Sequence, residues 1–113
     1  MAIARLPEPY RTMAANRHYL PRNVPLVKWV AGAQGDLVCA YGPIVTVNWM
    51  MAVARRSVDP HGRPLPQWEG CRTVGKGALF LLSPDAPDAF DGRYFGIIPR
   101  ENVVGEARLL WPR

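Results

Sequence analysis

Lys28 is the residue whose type and setting most directly suggest chemistry. It lies in the run Pro25-Leu26-Val27-Lys28-Trp29-Val30, with apolar side chains on both sides. Burial disfavours the charged form of an amine and lowers its pKa. A neutral lysine amine is a general base that can activate a hydroxyl nucleophile. The chain carries 14 basic residues, and Lys76 is the other lysine among them. The second feature is Phe90-Asp91-Gly92-Arg93-Tyr94-Phe95-Gly96. An Asp-Gly-Arg-Tyr turn sets a carboxylate and a guanidinium two residues apart. Asp91 and Arg93 can orient a catalytic group or form a surface pair. Local spacing favours the surface pair, which contributes only ~0–1 kcal/mol. Lys28 also has a plainer reading, as an edge lysine whose stem covers apolar surface while its ammonium reaches water.

Nucleophiles are scarce. The serines are Ser57, which follows Arg55-Arg56, and Ser83, which precedes Pro84 in a segment where serine suits a turn. His18 and His61 lie in polar, proline-flanked segments without an evident carboxylate partner, so a Ser-His-Asp triad has little support. Cys39 ends one strand-like run and Cys71 opens another. They can be buried thiols, a catalytic thiol or a disulfide, and the compartment decides which. Neither sits in a C-x-x-C pattern. Two cysteines and two scattered histidines do not make a zinc site, and no cofactor motif is present.

The chain has 113 residues, 49% of them apolar and 20% charged, which fits one folded domain over residues 1–113. Its net charge of +5 comes from dispersed arginines, with Arg55-Arg56 the one adjacent pair, and reads as a solvated basic surface. Trp29, Trp49, Trp68 and Trp111 fall at different strand phases and read as core and rim packing, not as a stacking platform. Nucleic acid is therefore not an expected partner. No apolar run approaches the ~18 residues of a membrane span. Pro7, Glu8 and Pro9 interrupt the place where a signal-peptide core would lie.

The elements that position these residues follow from punctuation by twelve prolines and ten glycines. Residues 8–18 read as a short helix, with Pro9 in the first turn, Met13 and Ala14 facing inward and Pro21 stopping it. Strands are expected at 25–30, 37–41 and 44–49. Residues 50–58 suit a hairpin partner, although their alanines also permit a short helix. Residues 59–66 form an extended turn region, because proline and glycine at that density exclude a helix. Strands at 71–74 and 78–82 flank the Gly75-Lys76-Gly77 turn. Residues 83–91 form a loop, and strands at 95–98 and 103–111 close the chain. The expected fold is a small, mostly β domain with a short N-terminal helix.

Taken in order, several segments resemble the S26 signal peptidases, and within them the TraF-type conjugative-transfer branch. Residues Tyr19-Leu20-Pro21-Arg22-Asn23-Val24-Pro25-Leu26-Val27-Lys28 are similar to the lead-in to that branch's catalytic lysine. Gly62-Arg63-Pro64-Leu65-Pro66, Trp68 and Gly70-Cys71 are similar to its middle region. Leu79-Phe80-Leu81-Leu82, residues 90–96, Pro99 and Val104-Gly105 are similar to its C-terminal signature. The resemblance implies a β fold of the S26/LexA type and a Ser-Lys endopeptidase at the periplasmic face of the inner membrane. Its substrates would be exported proteins such as a pilin precursor. It assigns Lys28 as general base, gives Asp91 and Arg93 supporting roles, and pairs Cys39 with Cys71 in oxidising surroundings. No serine precedes Lys28, so the family's upstream nucleophile segment and membrane anchor are expected to be missing and the chain inactive alone. Trp29 stands where the family commonly has arginine, Ala89 where a serine usually supports the lysine, and Ser83-Pro84 where Gly-Asp is usual. The rival expectation is a non-catalytic β module that binds a protein or exported peptide.

Overall fold

A computed structural model describes residues 1–106. Numbered in chain order, the strands are β1 (Ala2–Ala4), β2 (Leu26–Gly32), β3 (Leu37–Tyr41), β4 (Ile44–Val47), β5 (Met51–Ala54), β6 (Gly70–Thr73), β7 (Phe80–Leu82) and β8 (Val103–Glu106). Helix α1 spans Tyr10–Asn16, and α2 is one turn at Gly92–Phe95. The strands form two antiparallel sheets, in the orders β7-β2-β1-β8 and β5-β4-β3-β6. The mostly β expectation with a short N-terminal helix therefore holds.

Strand β7 joins the two sheets' cores. Its three residues, Phe80, Leu81 and Leu82, are fully buried, as expected of a short apolar run covered on both faces. Side chains alternate along a strand, so Leu81 enters a core with Ala2, Ala4, Leu26, Phe95 and Ile98. Phe80 and Leu82 enter the other, with Val38, Val45, Val47 and Trp68. Each fully buried side chain of this size stabilises by about 1.5–3 kcal/mol.

Helix α1 begins at Pro9, and Glu8 supports its first turn by accepting from Thr12 N (3.1 Å) and Thr12 Oγ1 (2.5 Å). Ala14 is its buried contact with the first core. The hairpin partner expected over 50–58 forms as the shorter strand β5 and not as a helix, and Val45 and Val53 pair across it and bring two β-branched residues together.

Three local expectations change. Strand β1 was not foreseen, being three residues long and mostly alanine, which carries little strand preference. Strand β4 stops at Val47, and Asn48 and Trp49 form a left-handed turn (φ 52° and 58°). Asn48 fixes that turn by accepting from Leu37 N and donating to Asp36 Oδ1. No strand forms at 95–98: Phe95 ends α2, and Ile98 alone makes a bridge, to Leu79. Asp91 accepts from Arg93 N and starts the turn, and Gly96 ends it at φ 76°. The strand expected at 103–111 is seen as Val103–Glu106; its remainder, with Trp111, lies outside the described residues. Of the other tryptophans, Trp68 is buried, while Trp29 and Trp49 are exposed.

Candidate active site

Lys28 lies on β2 opposite Ala2 of β1, half-buried beside the buried Leu26. It lines a cleft of ≈ 420 Å³ whose walls include Leu20, Val58, Leu65, Phe90 and Tyr94. Burial in this apolar setting lowers the lysine pKa; the Asp91 charge opposes the shift and the Arg93 charge adds to it. Among the described residues no carboxylate lies within ion-pair distance of its ammonium. The side chain is thus a partly desolvated amine facing an open apolar cleft, which is the setting a general base requires.

Asp91 and Arg93 do not form the surface pair that their spacing suggests. They are 0% and 2% exposed. The guanidinium grips the carboxylate through both arms, Nε to Oδ1 at 2.9 Å and Nη2 to Oδ2 at 2.8 Å. It also donates to the carbonyls of Ala54 (3.2 Å), Ser83 (3.0 Å) and Ala86 (3.0 Å). Asp91 accepts further from Ser83 N (2.9 Å) and Arg93 N (3.0 Å). A buried ion pair is tolerable only when its remaining donors and acceptors are satisfied, and here they are. Tight packing of α2 on β7 accounts for the burial. A Cβ on Gly92 would lie 2.7 Å from the Phe80 ring and 2.8 Å from the Leu81 carbonyl.

The pair bears on Lys28 through the chain end between them. Trp29 pairs with Leu82, so the residue next along β7 toward Lys28 is Ser83. Asp91 holds the Ser83 N–H and Arg93 its carbonyl. Ser57 is exposed and Ser83 half-buried.

The far wall of the cleft is pinned by Asp59, which sequence reasoning passed over within a turn region. Its carboxylate accepts from Tyr19 Oη (2.7 Å), Arg63 Nε (2.6 Å), and the backbone N–H groups of His61 and Arg63 (2.9 Å each). Burial alone would raise its pKa, but the donors from Tyr19, Arg63 and His61 win and hold it far below the usual carboxylate range. The spacing Asp59-Pro60-His61-Gly62-Arg63 is the available signal, an Asx-type turn closed by the following N–H groups. His61 donates to Asp59 only through its backbone.

The adjacent Arg55-Arg56 pair divides. Arg56 is exposed and pairs with Asp88 at 2.7 Å, and both line the cleft. Arg55 is buried, contrary to the solvated reading. Cys39 and Cys71 are directly opposed on β3 and β6 and are joined as a disulfide.

This lysine-bearing β scaffold is that of a known class. The chain belongs to the family described as signal peptidase, peptidase S26, which it matches over residues 2–112. It is 35% identical over 91 residues to a plasmid transfer protein TraF of Escherichia coli, covering 76% of this chain and 51% of that protein. A second Escherichia coli plasmid transfer protein TraF is 33% identical over 81 residues, covering 69% of this chain and 46% of the other. Signal peptidase I of Leptolyngbya laminosa is 28% identical over 91 residues, covering 80% of this chain and 43% of that enzyme. The chain spans about half the length of the curated relatives it matches. No described helix is long and apolar enough to cross a membrane.

Proposed function

We propose that the chain carries the base half of a Ser-Lys endopeptidase site, with Lys28 as the general base. The observation that carries this reading is the lysine itself, half-buried in a mostly apolar cleft with no carboxylate of the described residues at ion-pair distance. In the chemistry proposed, neutral Lys28 takes the proton of a serine hydroxyl, the serine attacks a peptide carbonyl, and the protonated lysine returns the proton to the leaving amine. Asp91 and Arg93 support the site by fixing the strand end beside the lysine. The reading includes one domain over residues 1–113, exported protein substrates such as a pilin precursor, and work at the outer face of the inner membrane. The family membership and the TraF relatives support it.

Two measurements test the reading. NMR titration of Lys28, with exposed Lys76 as internal control, is expected to place Lys28 below Lys76; coincident titration removes the base. The second joins a serine-bearing segment from a TraF relative ahead of Ala2. Ala2 pairs with Lys28, so the graft enters the sheet beside the lysine. The 113-residue chain alone is expected neither to cleave an exported precursor nor to take up a fluorophosphonate probe. The graft is expected to do both, and Lys28→Met in the graft to abolish both. Labelling of Ser57 or Ser83 in the ungrafted chain would instead assign the nucleophile to one of them and refute the half-site.

A further inference from the structure

Arg55 is a buried charge to which the peptidase reading gives no task. Its side chain is 0% exposed, and its guanidinium serves four partners on three segments. It donates to the carbonyls of Gly42 (2.7 Å) and Trp68 (2.8 Å), and more weakly to that of Arg93 (3.4 Å). It also pairs with Glu69 Oε1 at 2.6 Å, while the other oxygen of Glu69 accepts from Gly42 N at 3.2 Å. Gly42 lies between β3 and β4, and residues 68–69 lead into β6. One side chain therefore ties three segments of the second sheet to α2.

The tie is returned from the other side. Arg93 donates to the carbonyl of Ala54, the residue before Arg55. Trp68 Nε1 donates to Gly92 O at 2.9 Å, and Arg56 N donates to Tyr94 Oη at 3.1 Å. Gly92, Arg93 and Tyr94 are thus each held by residues 54–56 or by Trp68. On its opposite side the same turn holds Ser83 through Asp91 and Arg93, and Ser83 directly follows Leu82, the register partner of Trp29 next to Lys28.

We propose that Arg55 is a positioning residue for Lys28. It clamps the disulfide-bearing sheet to the Gly92–Phe95 turn, and the clamped turn fixes Asp91, Arg93 and the Ser83 strand end against the lysine. The inference rests on the reading of Lys28 as base and deepens it by giving the second sheet a part in shaping that site. Arginine is required because the task needs several donors in a rigid plane and a charge that never leaves. A lysine ammonium has neither the fork nor the reach to serve Gly42, Trp68 and Glu69 together.

The test is the Lys28 side-chain titration, with Lys76 as control, in the intact chain and in two variants that leave its charge unchanged. Arg55→Lys removes the fork, and Trp68→Phe removes the indole N–H that holds Gly92 O. In both, the loosened turn admits water to the cleft, and the Lys28 titration moves upward toward the Lys76 control. A role confined to stability would lower the melting temperature and leave the titration in place. If Lys28 and Lys76 coincide in the parent chain, the peptidase reading fails. If the parent Lys28 is depressed and a folded Arg55→Lys variant leaves it unmoved, the reading stands and the Arg55 proposal is overturned. Should Arg55→Lys not fold, Trp68→Phe decides, because an unmoved Lys28 there shows that the turn's position does not govern the lysine.

Discussion

Replacing Arg93 with methionine is expected to be among the most damaging single changes outside the apolar cores. The substitution keeps the volume and apolar stem but leaves Asp91 as a buried carboxylate without its cation. Asp91 then retains two donors, Ser83 N and Arg93 N, and the carbonyls of Ala54, Ser83 and Ala86 lose theirs. Breaking a buried pair by removing one partner costs about 3–5 kcal/mol. Domains of this size have total stabilities of about 5–15 kcal/mol, so the variant sits near the edge of folding. At about 4 °C per kcal/mol, the expected fall in melting temperature is roughly 12–20 °C.

The partner experiment separates an unpaired charge from lost packing. In Asp91→Asn with Arg93→Met neither charge of this buried pair remains, and the double variant is expected to recover about half of the loss. Urea unfolding followed by circular dichroism, with the disulfide intact, measures each ΔΔG, and an unchanged slope confirms that the same surface is exposed. A loss below about 1 kcal/mol for Arg93→Met would place the pair among exposed ion pairs and refute the argument from burial. A double variant as unstable as the single one would show that the charge is not the cause.

Three further outcomes are expected. Protein made in an oxidising compartment should be about two mass units lighter than its reduced form, and Cys39→Ala with Cys71→Ala should cost ~3.7 kcal/mol in the loop-closure account; two freely alkylated thiols would contradict the pairing. Asp59 has a folded pKa below its unfolded value of about 3.9, so its contribution is complete above that pH and is lost as the pH falls through and below it. Asp59→Asn should therefore flatten the acid side of the stability profile, and an unchanged acid limb would exclude that carboxylate as its source. Lys28→Met should raise the melting temperature at neutral pH, because the unfolded chain binds the Lys28 proton more tightly than the cleft does; a lower melting temperature would mean that Lys28 is a structural residue.

The legible part of this fold was what alternation and turn residues encode. Strands 37–41 and 71–74 were read nearly to the residue because Gly35-Asp36, Gly42-Pro43 and Gly75 bound them. Lys28 was legible because an amine in an apolar run is conspicuous. The turn at Asn48-Trp49 was not, because tryptophan occupies a left-handed position (φ 58°) where glycine would have signalled it. Residues 95–98 misled for a different reason. Phe95-Gly96-Ile97-Ile98 has strand composition, but the Asp91 carboxylate caps a helical turn that takes in Phe95, a local capping interaction that outweighs strand propensity. Burial of Asp91, Arg93 and Arg55 was beyond sequence reading altogether. An arginine that donates to carbonyls on distant segments has the same local spacing as one facing water.

The division of labour between the two cation types follows from that geometry. Arg55, Arg63 and Arg93 hold carboxylates at 2.6–2.8 Å, Arg93 through two arms of its guanidinium. Each does work that a permanent, multiply donating charge performs and a releasable one does not. Lys28 has the opposite setting: no carboxylate of the described residues at ion-pair distance, partial burial, and an open, mostly apolar cleft in front of it. An arginine there would stay charged at any physiological pH, and a methionine would pack better. On the proposed reading, a lysine suits the position because its proton can leave. The arginines build the frame around that one amine, so damage to the frame and damage to the base should be separable: the first read in stability and in the position of the Lys28 titration, the second in proton transfer alone.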